Sequence, residues 1–217
     1  MNYKFTNTTR HFAKNGTSIA RFGARTLAVA GVMLAGITPS FALELHSSDF
    51  APNGTLAQQQ VFNGFGCTGE NISPTLEWSD VPDGTQSFAL MVHDPAAPTG
   101  SGWWHWVVID IPASMRSLPQ NAGAVASTAT MANDSKGTVG SMGAMRQLKT
   151  DFGQPGYGGP CPPLGDAPHP YNFTLFALDV PKIDVDDTAS AALVGYMVHG
   201  HTIASTTLTG LYGRKAQ

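Results

Sequence analysis

Three stretches of this chain alternate like β-strands yet are apolar on both faces, and that pattern restricts the fold more than any other feature. They are Ser87 to Asp94, Trp103 to Ile111 and Tyr171 to Asp179. In the first, Phe88, Leu90, Val92 and Asp94 share one face. In the second, His105 shares a face with Trp103, Val107, Ile109 and Ile111. In the third, Tyr171, Phe173, Leu175 and Ala177 point one way, and Asn172, Thr174, Phe176 and Leu178 the other. Side chains alternate across a strand, so a strand apolar on both sides must lie between two packed layers. Pro112 and Pro181 follow two of these runs, where ladder bonding must stop. Thr202 to Tyr212 alternates again and reads as a final strand.

One segment reads as a helix. Asp186, Asp187 and Thr188 offer capping oxygens, and Ala189, Leu193, Tyr196 and Met197 then fall on one face, with Gly200 as the stop. The polar, Gly-containing region Gly123 to Gln154 is expected to be a long loop folded over one end of the strands. These elements predict a mainly β fold: an antiparallel β-sandwich with one late helix and irregular loops. With 217 residues, 42% hydrophobic and 12% charged, the chain can build one sizeable core.

Charge is distributed unevenly. Residues 1–42 carry Lys4, Arg10, Lys14, Arg21 and Arg25 and no acid; without those five positives the net charge goes from −3 to −8. An acidic body argues against a nucleic-acid partner. Behind the basic stretch comes an apolar run, Thr26 to Ile37, and then small residues at Ser40 and Ala42. This is the layout of a secretory signal peptide. The run is shorter than the ~20 residues of a membrane-spanning helix, so no stable membrane anchor is expected after cleavage. The expected division is a signal peptide at 1–42 and a single domain at 43–217, in the periplasm or secreted. The chain has two cysteines, Cys67 and Cys161. In an exported protein they invite a disulfide, with two separate buried thiols as the alternative. Neither has metal-site spacing.

Polar groups of interest gather where strands end. Asp94 closes an apolar strand just before two prolines, as a turn-capping residue or a site residue. His105 sits among Trp103, Trp104 and Trp106, as a core histidine or a ligand donor. Tyr157, Gly158, Gly159 and Pro160 form a loop whose glycines let main-chain N–H groups approach a ligand, and His169 and Tyr171 add donors. A set of N–H, His and Tyr donors suits a phosphate or carboxylate. The runs Ser73-Pro-Thr-Leu-Glu-Trp78, Asp94-Pro-Ala-Ala-Pro98, Gly100-Ser-Gly-Trp-Trp-His-Trp-Val-Val108, Tyr157-Gly-Gly-Pro-Cys-Pro-Pro-Leu-Gly165 and His201 to Tyr212 stand in this order along the chain.

Those five motifs resemble the phosphatidylethanolamine-binding protein (PEBP) family, and within it the bacterial Raf kinase inhibitor-like branch of the YbhB/YbcL type. The resemblance covers nearly everything after the signal segment. It implies a β-sandwich whose pocket binds phosphate or phosphorylated groups. It carries the family's pocket aspartate to Asp94, its pocket histidine to His105, its glycine–proline loop to Gly158, Gly159 and Pro160, and its His-x-Tyr pair to His169 and Tyr171. Two positions depart from the pattern: Ala96 stands where the family often has a second aspartate, and Pro170 where it usually has arginine. The expected function is the binding of a small anionic ligand such as a phospholipid head group, with a regulatory or inhibitor-like role and a protein partner as a further possibility. No cofactor, metal or turnover is expected. The alternatives are a hydrolase of esters or phosphoesters using His105 or His169, and an interaction module with a vestigial pocket. Against the hydrolase, the chain has no Gly-x-Ser-x-Gly elbow, no His-Glu-x-x-His pair and no P-loop.

Overall fold

The computed structural model describes residues 42–124 and 145–216. The signal-peptide reading falls on residues outside these, apart from Ala42. Among the described residues ten strands are seen: β1 (Glu44–His46), β2 (Asn63–Gly64), β3 (Cys67–Thr68), β4 (Leu76–Ser79), β5 (Ser87–Asp94), β6 (Trp103–Pro112), β7 (Ser117–Leu118), β8 (Arg146–Gln147), β9 (His169–Leu178) and β10 (Thr202–Tyr212). The helix α1 (Ala191–Gly200) precedes β10. The four long strands lie within a residue or two of where alternation puts them. Arg146 and Gln147 pair with Ile109 and Val108, so part of the expected loop 123–154 is an edge strand.

A five-stranded sheet, in the order β10-β9-β5-β6-β8, faces a three-stranded sheet, β1-β4-β7, and β2 and β3 form a separate hairpin. Every pairing between these strands is antiparallel. One face of the large sheet packs against the small one through Phe88, Leu90, Val92, Phe173 and Leu175 on one side and Leu45, Leu76, Trp78 and Leu118 on the other. Its opposite face carries Ala89, Met91, Val107, Ile109, Phe176 and Leu178 against Ile183 and the helix residues Ala191, Val194 and Val198. The inner strands of the large sheet are thus covered on both faces, which accounts for their apolar residues on both. Each fully buried Leu, Phe or Val contributes about 1.5–3 kcal/mol.

The helix starts later than the acidic cluster suggests. Ser190 is its cap, with Oγ accepting from the Leu193 N–H at 3.2 Å. Its buried face is Ala191, Val194 and Val198; of the expected face, Leu193 (48%) and Tyr196 (76%) are exposed, while Ala189 is buried and Met197 packs against the same core. Close approach to the sheet favours small and β-branched residues, and a Cβ on Gly195 would lie 3.6 Å from Met91 Cε. Gly200 is the last helical residue, as expected of a stop.

Strand β6 departs from strict alternation twice. Phe88 pairs with Ile111 but Leu90 with Val108, so β6 carries an extra residue there, and Asp110 takes φ 59°. The Asp110 carboxylate accepts from the Ile183 N–H and from Arg146 Nε, both at 2.8 Å, and this holds the bulge. A second shift separates the Val92–Trp106 pair from the His93–Trp104 pair. The single face expected for Trp103, His105, Val107, Ile109 and Ile111 is therefore split. Val107 and Ile109 face the helix, and Ile111 faces the small sheet. A bulge adds one residue to one strand and re-aims its neighbours.

Candidate functional site

The antiparallel order brings the end of β5 and the starts of β6 and β9 to one edge of the large sheet. Asp94 pairs with Trp103, and the preceding His93 pairs with Asn172 of β9, placing Asp94 next to Tyr171. The second bulge of β6 lies at His105, so the ring turns toward β9 and meets Tyr171 edge-on at 5.0 Å. Asp94, His105, His169 and Tyr171 together line a cavity of about 200 Å³.

The polar groups are tightly committed. Asp94 Oδ2 accepts from His169 Nδ1 at 2.7 Å, and Asp94 Oδ1 accepts from the Ala96 N–H at 2.9 Å. His169 Nε2 faces Asp166 Oδ2 at 3.5 Å, so the ring lies between two carboxylates. His105 Nδ1 donates to the Gly158 carbonyl at 2.6 Å, and the Gly158 N–H donates back to the His105 carbonyl at 2.8 Å. A carbonyl only accepts, so Nδ1 carries the hydrogen and Nε2 is the nitrogen left for a ligand. Burial pulls the His105 pKa down to about 4, against the opposing pull of the Gly158 carbonyl and Asp94. The ring is therefore neutral at pH 7, and Nε2 presents a lone pair.

Tyr171 differs from its neighbours. It is 1% exposed, and its hydroxyl is buried without a hydrogen-bond partner. Burial, with Asp94 nearby, pushes its phenol well above the ordinary range, so it remains a donor. A buried hydroxyl with nothing to bond costs about 1–3 kcal/mol, and Tyr171 is one of the residues that line the cavity.

The 157–160 segment supports the pocket from behind. The Tyr157 hydroxyl donates to the Gln60 carbonyl at 3.1 Å, and burial pushes this phenol up as well. The Gly159 N–H donates to Asn71 Oδ1 at 2.8 Å, and the Pro160 carbonyl accepts from the Phe62 N–H at 3.1 Å. The two glycine N–H groups thus bond within the protein. The glycines serve close packing instead: a Cβ would sit 2.2 Å from Phe152 Cε2 at Gly158 and 2.0 Å from the Gln60 carbonyl oxygen at Gly159. Of the eight residues singled out in the sequence, Asp94, His105, His169 and Tyr171 line the cavity; Tyr157, Gly158, Gly159 and Pro160 do not.

Cys67 and Cys161 form a disulfide, which settles the alternative left open above. Cys161 lies in the pocket wall with Pro162 and Pro163, next to Phe65, Phe152 and Trp103. Of these walls, sequence reading missed Phe65 and Phe152. Phe65 had one usable signal, an apolar residue between Gly64 and Gly66 beside a cysteine; Phe152 had none. Pro170, where the resemblance puts arginine, lies in β9 opposite Leu211. Among the described residues, no group of three or more His, Cys, Asp or Glu is arranged to hold a metal ion. No helix among them is long and apolar enough to cross a membrane.

A sandwich with a pocket at the strand ends, floored by an Asp–His pair, agrees with the family comparison: the phosphatidylethanolamine-binding protein model matches residues 46–213, and the chain belongs to that family. This is consistent with a binding protein. Among individual relatives, the UPF0098 protein YbcL of Escherichia coli K12 is 47% identical over 191 residues, covering 87% of this chain and 98% of the relative. The UPF0098 protein YbhB of the same organism is 46% identical over 170 residues, covering 78% and 99%. The crystal structure of E. coli YbcL, described as a new member of the mammalian PEBP family, superposes with a TM-score of 0.72 at 44% identity, covering 80% of this chain and 99% of that one. The homologue CT736 from Chlamydia trachomatis gives 0.62 at 28% identity, covering 80% and 98%.

Proposed function

We propose that this chain is an exported binding protein that holds a phosphate or phosphorylated head group at Asp94, His105, His169 and Tyr171, without turnover. The observation that carries this reading is the buried, unpartnered Tyr171 hydroxyl in the cavity wall. A phosphoryl oxygen accepts its hydrogen. Neutral His105 offers a lone pair at Nε2, which a P–OH of a monoanionic phosphate or phosphomonoester satisfies. One tetrahedral group thus meets both demands. The Asp94–His169 pair closes the remaining side and fixes the wall. A free thiol nucleophile is lacking in the cavity lining, since the sulfur of Cys161 is in the disulfide, and the Thr99 hydroxyl donates to the Gly102 carbonyl. A regulatory or inhibitor-like role would follow from occupancy of the pocket through contact with a protein partner.

Export is supported by the basic-then-apolar layout of residues 1–42 and by a disulfide that suits an oxidising compartment. Mass spectrometry of the mature form is expected to find a chain beginning at Leu43. A full-length cytoplasmic product would refute it.

Titration calorimetry with inorganic phosphate tests the site. Tyr171→Phe keeps the ring and removes the donor, and a hydrogen bond to a charged group is worth about 1.5–3 kcal/mol. The variant is therefore expected to bind phosphate at least about tenfold more weakly. Equal affinity would overturn the reading. Turnover of a generic aryl phosphate, abolished by His105→Ala, would favour a hydrolase instead.

A further inference from the structure

We propose that the Phe65 tip makes this pocket selective for phosphate esters bearing an apolar, ring-sized substituent over free phosphate. The inference rests on the phosphate reading above and adds the chemistry of the rest of the ligand.

Phe65 is the tip of the β2–β3 hairpin, 71% exposed, at the rim of the cavity. Its backbone is left-handed, at φ 51°, a conformation that bulky residues rarely adopt. Such strain persists where the surroundings hold it, commonly at ligand clamps. Here they do. The disulfide fastens Cys67, two residues on, to Cys161 in the adjoining wall. Arg214 braces both sides, with Nη2 donating to the Gly66 carbonyl at 3.0 Å and Nη1 to the Pro162 carbonyl at 3.1 Å. An exposed aromatic side chain is thereby fixed at the mouth of the pocket.

The ring continues an apolar wall that begins at the floor. Phe65 stacks on Phe152 with centroids 6.0 Å apart and planes 13° apart. Phe152 in turn meets Trp103 edge-on at 5.5 Å and His105 at 5.4 Å. A bare phosphate at His105 and Tyr171 would leave this wall wet. The cavity, about 200 Å³, also exceeds the roughly 150 Å³ of an apolar cavity that holds benzene.

The charge of the lining decides between an apolar and a cationic substituent. Asp94 is the one carboxylate lining the cavity among the described residues, and both its oxygens are engaged, by Ala96 and His169. The next carboxylate, Asp166, lies outside the lining and faces His169 Nε2 at 3.5 Å. The nearby cation, Arg214, is spent on carbonyls. The wall therefore favours a neutral apolar group.

Calorimetry on the disulfide-intact chain with inorganic phosphate, phenyl phosphate and phosphoethanolamine tests this. The wild type is expected to bind phenyl phosphate about tenfold more tightly than phosphate, as aromatic contact and burial of one ring allow. Phe65→Ala is expected to cut that preference at least about threefold. A wild-type preference below threefold, a preference reduced less than threefold by Phe65→Ala, or tighter binding of phosphoethanolamine than of phenyl phosphate would each overturn the inference while leaving the phosphate site standing. Binding of none of the three would remove both.

Discussion

Replacing Cys67 and Cys161 together by serine is expected to lower the free energy of unfolding by about 4–5 kcal/mol. The bond closes a loop spanning 94 positions in sequence, and constraining a loop of that length removes much of the unfolded chain's freedom. Domains of this size have only about 5–15 kcal/mol in total, so the loss is a large fraction. In thermal terms it is a fall of about 10–20 °C in Tm, read by calorimetry against the oxidised wild type. Dithiothreitol on the wild type is expected to reproduce the fall, which separates the lost bond from any effect of serine. A drop under about 3 °C in both would show that the bridge constrains little.

Acid is expected to destabilise the fold through His105. Its native pKa lies at about 4, below the ordinary value of 6.5, because burial disfavours the imidazolium. The unfolded chain takes up this proton as pH falls through 6.5, and the native state does not until about 4. Between those values the unfolded state binds more protons, so stability is complete above pH 6.5 and declines toward pH 4, by about 3 kcal/mol in all. His105→Asn can keep the donor to the Gly158 carbonyl and cannot titrate. The comparison that matters is the gap in unfolding free energy between wild type and variant, measured in denaturant from pH 7 to pH 4. It should shift in the variant's favour by that amount, and a constant gap would refute the assignment. Other ionisable groups, such as Asp110 beside Arg146, are common to both proteins and cancel in the gap.

The central strands could be read from the sequence because burial on both faces leaves an unbroken apolar mark, as in Phe88 to Val92 and Leu175 to Leu178. Alternation failed in β6, where the extra residue near Asp110 changes the facing of Ile111 and no local composition announces it. It failed again at α1, where a start at Ala191 turns Val194 and Val198 to the sheet and leaves Leu193 and Tyr196 outside. At the site, Asp94, His105 and Tyr171 were legible as polar groups ending apolar strands. The glycines 158 and 159 were legible as a place where main chain comes close, but what approaches is Phe152 and Gln60. Phe65 and Phe152 were hidden because they reach the pocket across almost ninety positions of sequence, and a single aromatic in a polar loop has no periodicity to betray it.

The crowding at Gly158 and Gly159 has an evolutionary consequence. A methyl group at either position would collide with neighbouring atoms, so the rear of the cleft admits almost no variation. Reshaping for a new ligand must happen at the front, where Phe65, Thr99 and Pro163 can change size without disturbing the sheet. Under the proposed phosphate reading, chains with the same back wall and different front residues should therefore differ in the rest of the molecule they accept.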